Sequence, residues 1–390
     1  MKIQKWYELN DPDEVDSPAL LIYKDRVASN IQTMINIAGD AKRLIPHVKT
    51  HKMAEIVKMQ LDAGISQFKC ATIAEAEMLA DSGAKNILIA YQLNFSKAKR
   101  FLSLIKKYPQ IEFSSLIDNI DSAEMLNDLF AKEKMTANVF IDVDTGMNRT
   151  GIEADDKMFY LFTELKKLPN INFRGLHIYD GHIRDEDFEL RKQKVKEALE
   201  KVNAVKQPRL TASPSDRLIR AEVWQEIIGH SNLQDVKIIA GGTPTFTVHA
   251  LNKDEYCSPG TCLLWDYGYD ALLKEQPFEF AAALLTRVIS KPLPGLITTD
   301  LGHKSVAAEN PISKRIFFLN LEDYEIKSQS EEHLVVSVKD WDKIHVGDVL
   351  YGIPYHICPT VALYDEANII ENGNVVDNWN VIARKKKITI

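Results

Sequence analysis

The feature that most constrains this 390-residue chain is a rhythm. Short apolar runs fall at residues 44–48, 67–71, 86–91, 112–117, 138–143, 173–179, 236–240 and 261–265, and amphipathic stretches separate most of them. IAEAEMLADSGA is representative, with apolar residues at helical spacing and a glycine near the stop. Eight strands alternating with helices predict an α/β architecture, a (β/α)8 TIM-like barrel. PSDRLIRAEVWQEIIGH predicts the helix before the seventh strand, opened by Ser-Asp caps. Beyond about residue 270 the pattern changes. RIFFLNL, HLVVSV and DVLYGIP read as short strands joined by turns, without helical intervals. The expected domains are a barrel over 24–268 and a mostly β second domain over 269–390. Residues 1–23 join the second domain through the early strand ALLIY.

Composition narrows the function. The net charge is −7, and the one long basic run, Arg384 to Lys387, reads as a solvated strand edge, so no nucleic-acid partner is expected. Cys70, Cys257, Cys262 and Cys358 lack zinc-ribbon spacing, which fits a reducing, cytoplasmic setting. The first residues do not resemble a signal peptide, and no window approaches the roughly 18 apolar residues of a membrane span. A soluble enzyme acting on a small molecule is the expectation.

Four segments carry chemistry. RLIPHVKTHK ends an apolar run on two histidines and two lysines. Alternation puts Ile45, His47 and Lys49 on one face at the C-terminal end of a strand, where barrels gather catalytic groups. A partly desolvated lysine there becomes a nucleophilic amine able to form a Schiff base with an aldehyde cofactor. The local sequence alone favours a solvated loop lysine. In AGGTPTFT, Gly241, Gly242 and Thr243 suit an anion cradle or a plain turn. SPGTCLLWDYG sets Pro259, Gly260 and Thr261 just before the expected last strand. In PYHICPT, His356 and Cys358 stand two apart, so on a strand they face one way and suit either a soft metal or a buried structural pair.

In order, SPALLIY, PHVKTHK, CATIAEAEMLADSGAKNILIAYQ, FIDVDTGMNRTGI, GLHIYDGH, AGGTPTF, SPGT, DLGHKS and YHICPT resemble the D-threonine aldolases and eukaryotic-type D-serine dehydratases. These are pyridoxal-phosphate enzymes of the alanine-racemase-like fold type, and the match runs from about residue 17 to 380. The resemblance implies that Lys49, rather than Lys52, carries pyridoxal 5'-phosphate. It places Arg149 at the cofactor's phenolic oxygen and Tyr179 at the pyridine nitrogen. Gly242, Thr243, Gly260 and Thr261 would cradle the phosphate, and His356 and Cys358 would hold a divalent metal. A homodimer is implied as well. The expected activity is lysis of a 3-hydroxy D-amino acid, by aldol cleavage or by β-elimination.

Departures from the family pattern sharpen this. The aldolases tend to pair the metal-binding histidine with an aspartate, whereas Cys358 resembles the dehydratases, and a thiolate favours Zn2+. Where relatives often have Tyr-His-Gly, this chain has Tyr179-Asp180-Gly181-His182, so His182 is the candidate substitute for a missing base. Asp300, His303 and Lys304 are expected either at the active site, across a dimer interface, or at a polar corner. His51 reads as a partner of the lysine segment and His47 as a satisfied core histidine. Two rivals stand. A racemase of the same fold needs a second base opposite the lysine. A non-catalytic pyridoxal-phosphate carrier is a bare barrel.

Overall fold

The computed structural model describes residues 5–206 and 237–390. The helix expected over 214–230 lies outside the described residues. By internal contact the chain divides into two compact units that interleave in sequence. One comprises Met1–Met34, Lys49–Met59 and Thr261–Lys385, and the other Ile35–Val48, Gln60–Gly260 and Lys386–Ile390. The stretches 24–34, 49–59 and 261–268, which the sequence reading places in the barrel, are counted with the first unit.

The second unit is the α/β body. Its strands Gln67–Cys70, Asn86–Gln92, Glu112–Ile117, Ala137–Asp144, Ile171–Ile178, Lys237–Ala240 and Glu255–Cys257 follow one another in a parallel sheet. Parallel bridges from Leu44 to Cys257 and from His47 to Lys69 insert the 44–47 segment between the last strand and the first. Ile45, Leu88, Leu116, Phe140 and Ile239 meet in one buried cluster, each from a different strand position, which is how a small barrel fills its interior. Helices start where the sequence supplies caps. Thr72, Asn94 and Asn119 accept from the backbone N–H of Glu75, Lys97 and Ser122, and Gly83 closes the helix Ile73–Ser82 in the left-handed region at φ 98°.

One expected strand is not one. Residues 261–265 form a 3-10 turn, Thr261–Leu263, and the eighth strand is Glu255–Cys257 instead. The run TCLLW is buried as its composition demands, yet Trp265 sits at φ 53°, which no strand tolerates. Pro259-Gly260-Thr261 therefore follows the last strand rather than preceding it.

The first unit is built on a nine-stranded, mostly antiparallel sheet. Ala19–Tyr23 lies inside it, antiparallel to Ala282–Leu293 and parallel to Glu366–Glu371. Leu20, Leu21 and Ile22 are fully buried, contributing about 1.5–3 kcal/mol each by area removed from water. Tyr7, Leu21, Tyr23, Leu285, Tyr351 and Ile353 share one core on this sheet. Among the described residues no helix is long and apolar enough to cross a membrane.

Candidate active site

In the barrel unit, four predicted residues emerge just past strand ends. Tyr179 follows Ile171–Ile178, Gly242 and Thr243 follow Lys237–Ala240, and Gly260 follows Glu255–Cys257. Their backbones are drawn together. Gly260 N donates to Thr243 Oγ1 at 3.2 Å, tying the two glycine corners to each other. Gly242 lies flat on Tyr179, and a Cβ there would come within 2.8 Å of the ring's Cε2. Arg149 arrives from the loop after Ala137–Asp144. Asp144 Oδ1 shapes that loop by accepting from the backbone N–H of Gly146, Met147 and Asn148 at 2.9, 2.9 and 3.1 Å. The guanidinium of Arg149 stands 4.9 Å from the centroid of the Tyr179 ring. A pinched glycine corner, a joined threonine, a phenol and a guanidinium fit a flat aromatic ligand with a phosphate arm, so these residues fit pyridoxal phosphate.

Inside the barrel lies a network that sequence reading missed. Asp142 Oδ1 pairs with His177 Nδ1 at 2.7 Å, and His177 Nε2 is 3.4 Å from Lys69 Nζ. Asp142 Oδ2 also accepts from Gln92 and Thr150, at 2.8 and 2.9 Å. Burial and the neighbouring Lys69 charge push His177 down, against the pull of Asp142, so the imidazole is neutral. Burial pushes the Asp142 carboxyl up, but its bonds to His177, Gln92 and Thr150 outweigh that and hold it below the usual range. Lys69 Nζ lies 5.7 Å from the Tyr179 ring. The signal was available, since Gly175 and His177 alternate along the strand that leads to Tyr179.

Asp180 and the candidate substitute His182 lie in different surroundings. Asp180 is buried, accepting from Thr245 Oγ1 at 2.6 Å and from His249 Nε2 at 2.8 Å. His182 is exposed, within reach of Gly146 in the arginine loop. A cleft of about 570 Å3 in the same unit, lined by Asp118, Asp144, Gly151, Lys157 and Tyr160 among others, contains none of the predicted site residues.

The first unit holds the remaining candidates. Lys49 is partly buried in the 3-10 turn Val48–Thr50, one step past the apolar run rather than within a strand. His51 is fully buried, and its Nδ1 accepts from Met53 N at 3.1 Å. Burial drives its pKa down to about 3, so the ring is neutral with its proton on Nε2. His47, in the barrel unit, is buried and pairs through its backbone with Pro259 and Lys69.

HIC is not on a strand, as the two-residue spacing had suggested. Val349–Pro354 ends first, His356 is the extended N-cap of the short helix Ile357–Val361, and Cys358 falls in its first turn. The two side chains nevertheless act on each other's protonation. Burial pulls His356 down, but Cys358, Asp266 and Glu309 raise it to about 9. Burial likewise pushes Cys358 up, and His356, Thr261 and Thr50 bring it below the usual thiol range. Thr50 Oγ1 and Thr261 Oγ1 face the sulfur at 3.2 and 3.4 Å, so Thr261 attends the thiol. Glu309 Oε1 holds His356 Nδ1 at 2.6 Å. Among the described residues no group of three or more His, Cys, Asp or Glu side chains is arranged for a metal ion. Asp300 accepts from Ser17, Thr286 and Arg287, while exposed Lys304 pairs with Glu331 and Glu332 beside exposed His303.

Comparison with known proteins matches this architecture. A model described as alanine racemase, N-terminal domain, matches residues 22–228, and a second, for a serine dehydratase domain, matches 281–370. The chain is 26% identical over 388 residues to 3-hydroxy-D-aspartate aldolase of Paracoccus denitrificans, covering 96% of this chain and 94% of that protein. It is 26% identical over 376 residues to D-threonine aldolase of an Arthrobacter species, covering 95% and 93%. The crystal structure of D-threonine aldolase from Filomicrobium marinum superposes with TM-score 0.80 at 23% identity, over 95% of this chain and 96% of that one. A cysteine-to-alanine variant of D-threo-3-hydroxyaspartate dehydratase in its metal-free form superposes with TM-score 0.75 at 19% identity, over 94% and 97%. With the first match spanning more than half its length, the chain belongs to the alanine racemase N-terminal domain family.

Proposed function

We propose that the protein is a pyridoxal-phosphate-dependent lyase that cleaves 3-hydroxy D-amino acids. The observation that carries the cofactor assignment is the joined glycine corner, with Gly260 bonded to Thr243 and Gly242 pressed on Tyr179. Similarity along nearly the whole chain to two aldolases of such substrates favours the lyase over a racemase. Bound pyridoxal phosphate supplies an electron sink for the pair released at the substrate's Cα.

The chain's own residues do the rest. Lys49 is the covalent tether and the amine that takes or returns the proton at Cα. Gly242, Thr243 and Gly260 would receive the phosphate, while the Thr261 hydroxyl faces Cys358. Arg149 would donate to the phenolic oxygen. Tyr179 would stand at the pyridine nitrogen, where a phenol in place of a carboxylate would leave the ring a weaker sink. His182, exposed over the arginine loop, is the group able to exchange a proton with the substrate in place of buried Asp180. His356 and Cys358 would hold a divalent ion, zinc by the softness of the thiolate, which supplies Lewis acidity at the 3-hydroxyl.

Cleavage and elimination differ in which proton is removed. Aldol cleavage takes it from the 3-hydroxyl, and elimination takes it from Cα while the oxygen leaves. The histidine–cysteine pair favours elimination, and the two full-length relatives favour cleavage. Reduction with borohydride after incubation with pyridoxal phosphate, followed by peptide mapping, tests the core of this reading. A pyridoxyl group on Lys49 is expected, and a label on Lys52 or Lys69 would refute it.

A further inference from the structure

Directly after Tyr179 begins a chain of buried charges that the proposed chemistry does not use. Asp180 Oδ2 is 2.8 Å from His249 Nε2, and His249 Nδ1 is 2.6 Å from Glu255 Oε2. The three side chains are 3% exposed or less. With a carboxylate facing each ring nitrogen, His249 satisfies both bonds by donating from both, which makes it an imidazolium. Such a buried array is expensive relative to apolar packing of the same volume, and breaking it leaves an uncompensated charge.

The array ends on the glycine corner. Thr245 Oγ1 donates to Asp180 Oδ1 at 2.6 Å and accepts from Gly242 N at 3.4 Å. Gly241 is in the left-handed region at φ 74°, and a Cβ there would meet the His249 ring at 2.5 Å and Thr245 Oγ1 at 2.9 Å. Gly242, in turn, lies on the Tyr179 ring. The corner is thus held from beneath by the hydrogen bond to Gly242 N, while Gly241 leaves no room for a side chain against the His249 ring. Asp180, with both oxygens engaged, is closed to proton exchange with a substrate.

We propose that Asp180, His249 and Glu255 are positioning residues that act through Thr245 to hold the 241–245 corner in the shape that receives the cofactor's phosphate. The inference rests on the pyridoxal-phosphate reading above. It assigns the aspartate in Tyr179-Asp180-Gly181 to phosphate binding, a role distinct from a base.

The test compares pyridoxal phosphate with 5'-deoxypyridoxal, which has the same ring and aldehyde but no phosphate. Full-length apo-protein is titrated with each, following cofactor absorbance, for wild type, Asp180→Asn, Thr245→Ala and Thr245→Ser. Asp180→Asn and Thr245→Ala are expected to weaken pyridoxal phosphate by about ten-fold or more while 5'-deoxypyridoxal changes by less than about two-fold. Thr245→Ser, which keeps the hydroxyl, should restore wild-type affinity. Equal weakening of both ligands, or unchanged affinity for pyridoxal phosphate, overturns the positioning role. The Thr245 pair decides the matter if Asp180→Asn fails to fold. A wild type that binds neither ligand overturns the cofactor assignment itself, and the role with it.

Discussion

Replacing Gly241 with alanine should destabilise the apo-protein, and replacing Gly242 should not, although the two are neighbours in one corner. At Gly241 two costs add. Its φ of 74° puts an L-residue in the left-handed region, at roughly 1–2 kcal/mol. The new Cβ would also stand 2.5 Å from His249 Cδ2, and that ring cannot recede because Asp180 and Glu255 hold both its nitrogens. Overpacking of this kind costs about 1–3 kcal/mol, so a total near 3 kcal/mol is reasonable. For a unit of roughly 200 residues that corresponds to a fall in melting temperature of about 6–12 °C. Gly242 differs in both respects. Its φ of −144° suits any residue, and its Cβ would meet Tyr179, a partly exposed ring able to shift. Gly242→Ala should therefore cost less than about 1.5 kcal/mol and instead change the absorbance of bound pyridoxal phosphate. Thermal unfolding of the two apo variants, followed by cofactor titration, decides it. If Gly242→Ala proves the more destabilising, the account of this corner is wrong.

Burial alone would hold His249 low, but Asp180 and Glu255 raise it from 6.5 to about 10. Its contribution is therefore full below pH 6.5 and is lost as pH rises through about 10. The stability gap between wild type and His249→Gln should shrink from pH 6 to pH 10 in urea titrations, and a constant gap contradicts the ion-paired state. Glu77 shows the opposite sign. Burial pushes it up, but Thr389, Lys107 and Ile390 bring it from 4.5 to about 2. Glu77→Gln should cost roughly 1–3 kcal/mol at neutral pH, a penalty that fades as pH falls from 4.5 towards 2. An unchanged penalty in acid would show that the carboxylate charge is irrelevant there. In protein loaded with zinc, His356→Ala and Cys358→Ala should each release the metal by elemental analysis while cofactor absorbance persists. Full zinc occupancy in both variants would remove the pair from metal binding.

The rhythm of apolar runs made the parallel barrel legible because period and spacing are local. The 261–265 run misled for a physical reason. Apolar content reports burial, and Cys262, Leu263, Leu264 and Trp265 are buried, but burial does not distinguish a strand from a turn once Trp265 takes a positive φ. The true eighth strand, Glu255–Cys257, is three residues long and carries a buried glutamate, so it shows almost no strand signal. At His356 the spacing was right and the backbone was not. Pro354 ends the strand, yet an extended N-cap followed by a helical turn still brings the imidazole to the thiol. The Asp180–His249–Glu255 array could not be read, because Asp180 and His249 are 69 residues apart and each partner looks ordinary alone.

The most direct test of the central claim is the product formed from D-threonine and from D-3-hydroxyaspartate, with pyridoxal phosphate and zinc supplied. Glycine with an aldehyde, or a 2-oxo acid with ammonia, is the predicted result, and which pair appears separates aldol cleavage from elimination. Epimerisation at Cα with no bond broken at Cβ would contradict the lyase assignment and move the protein to the racemases.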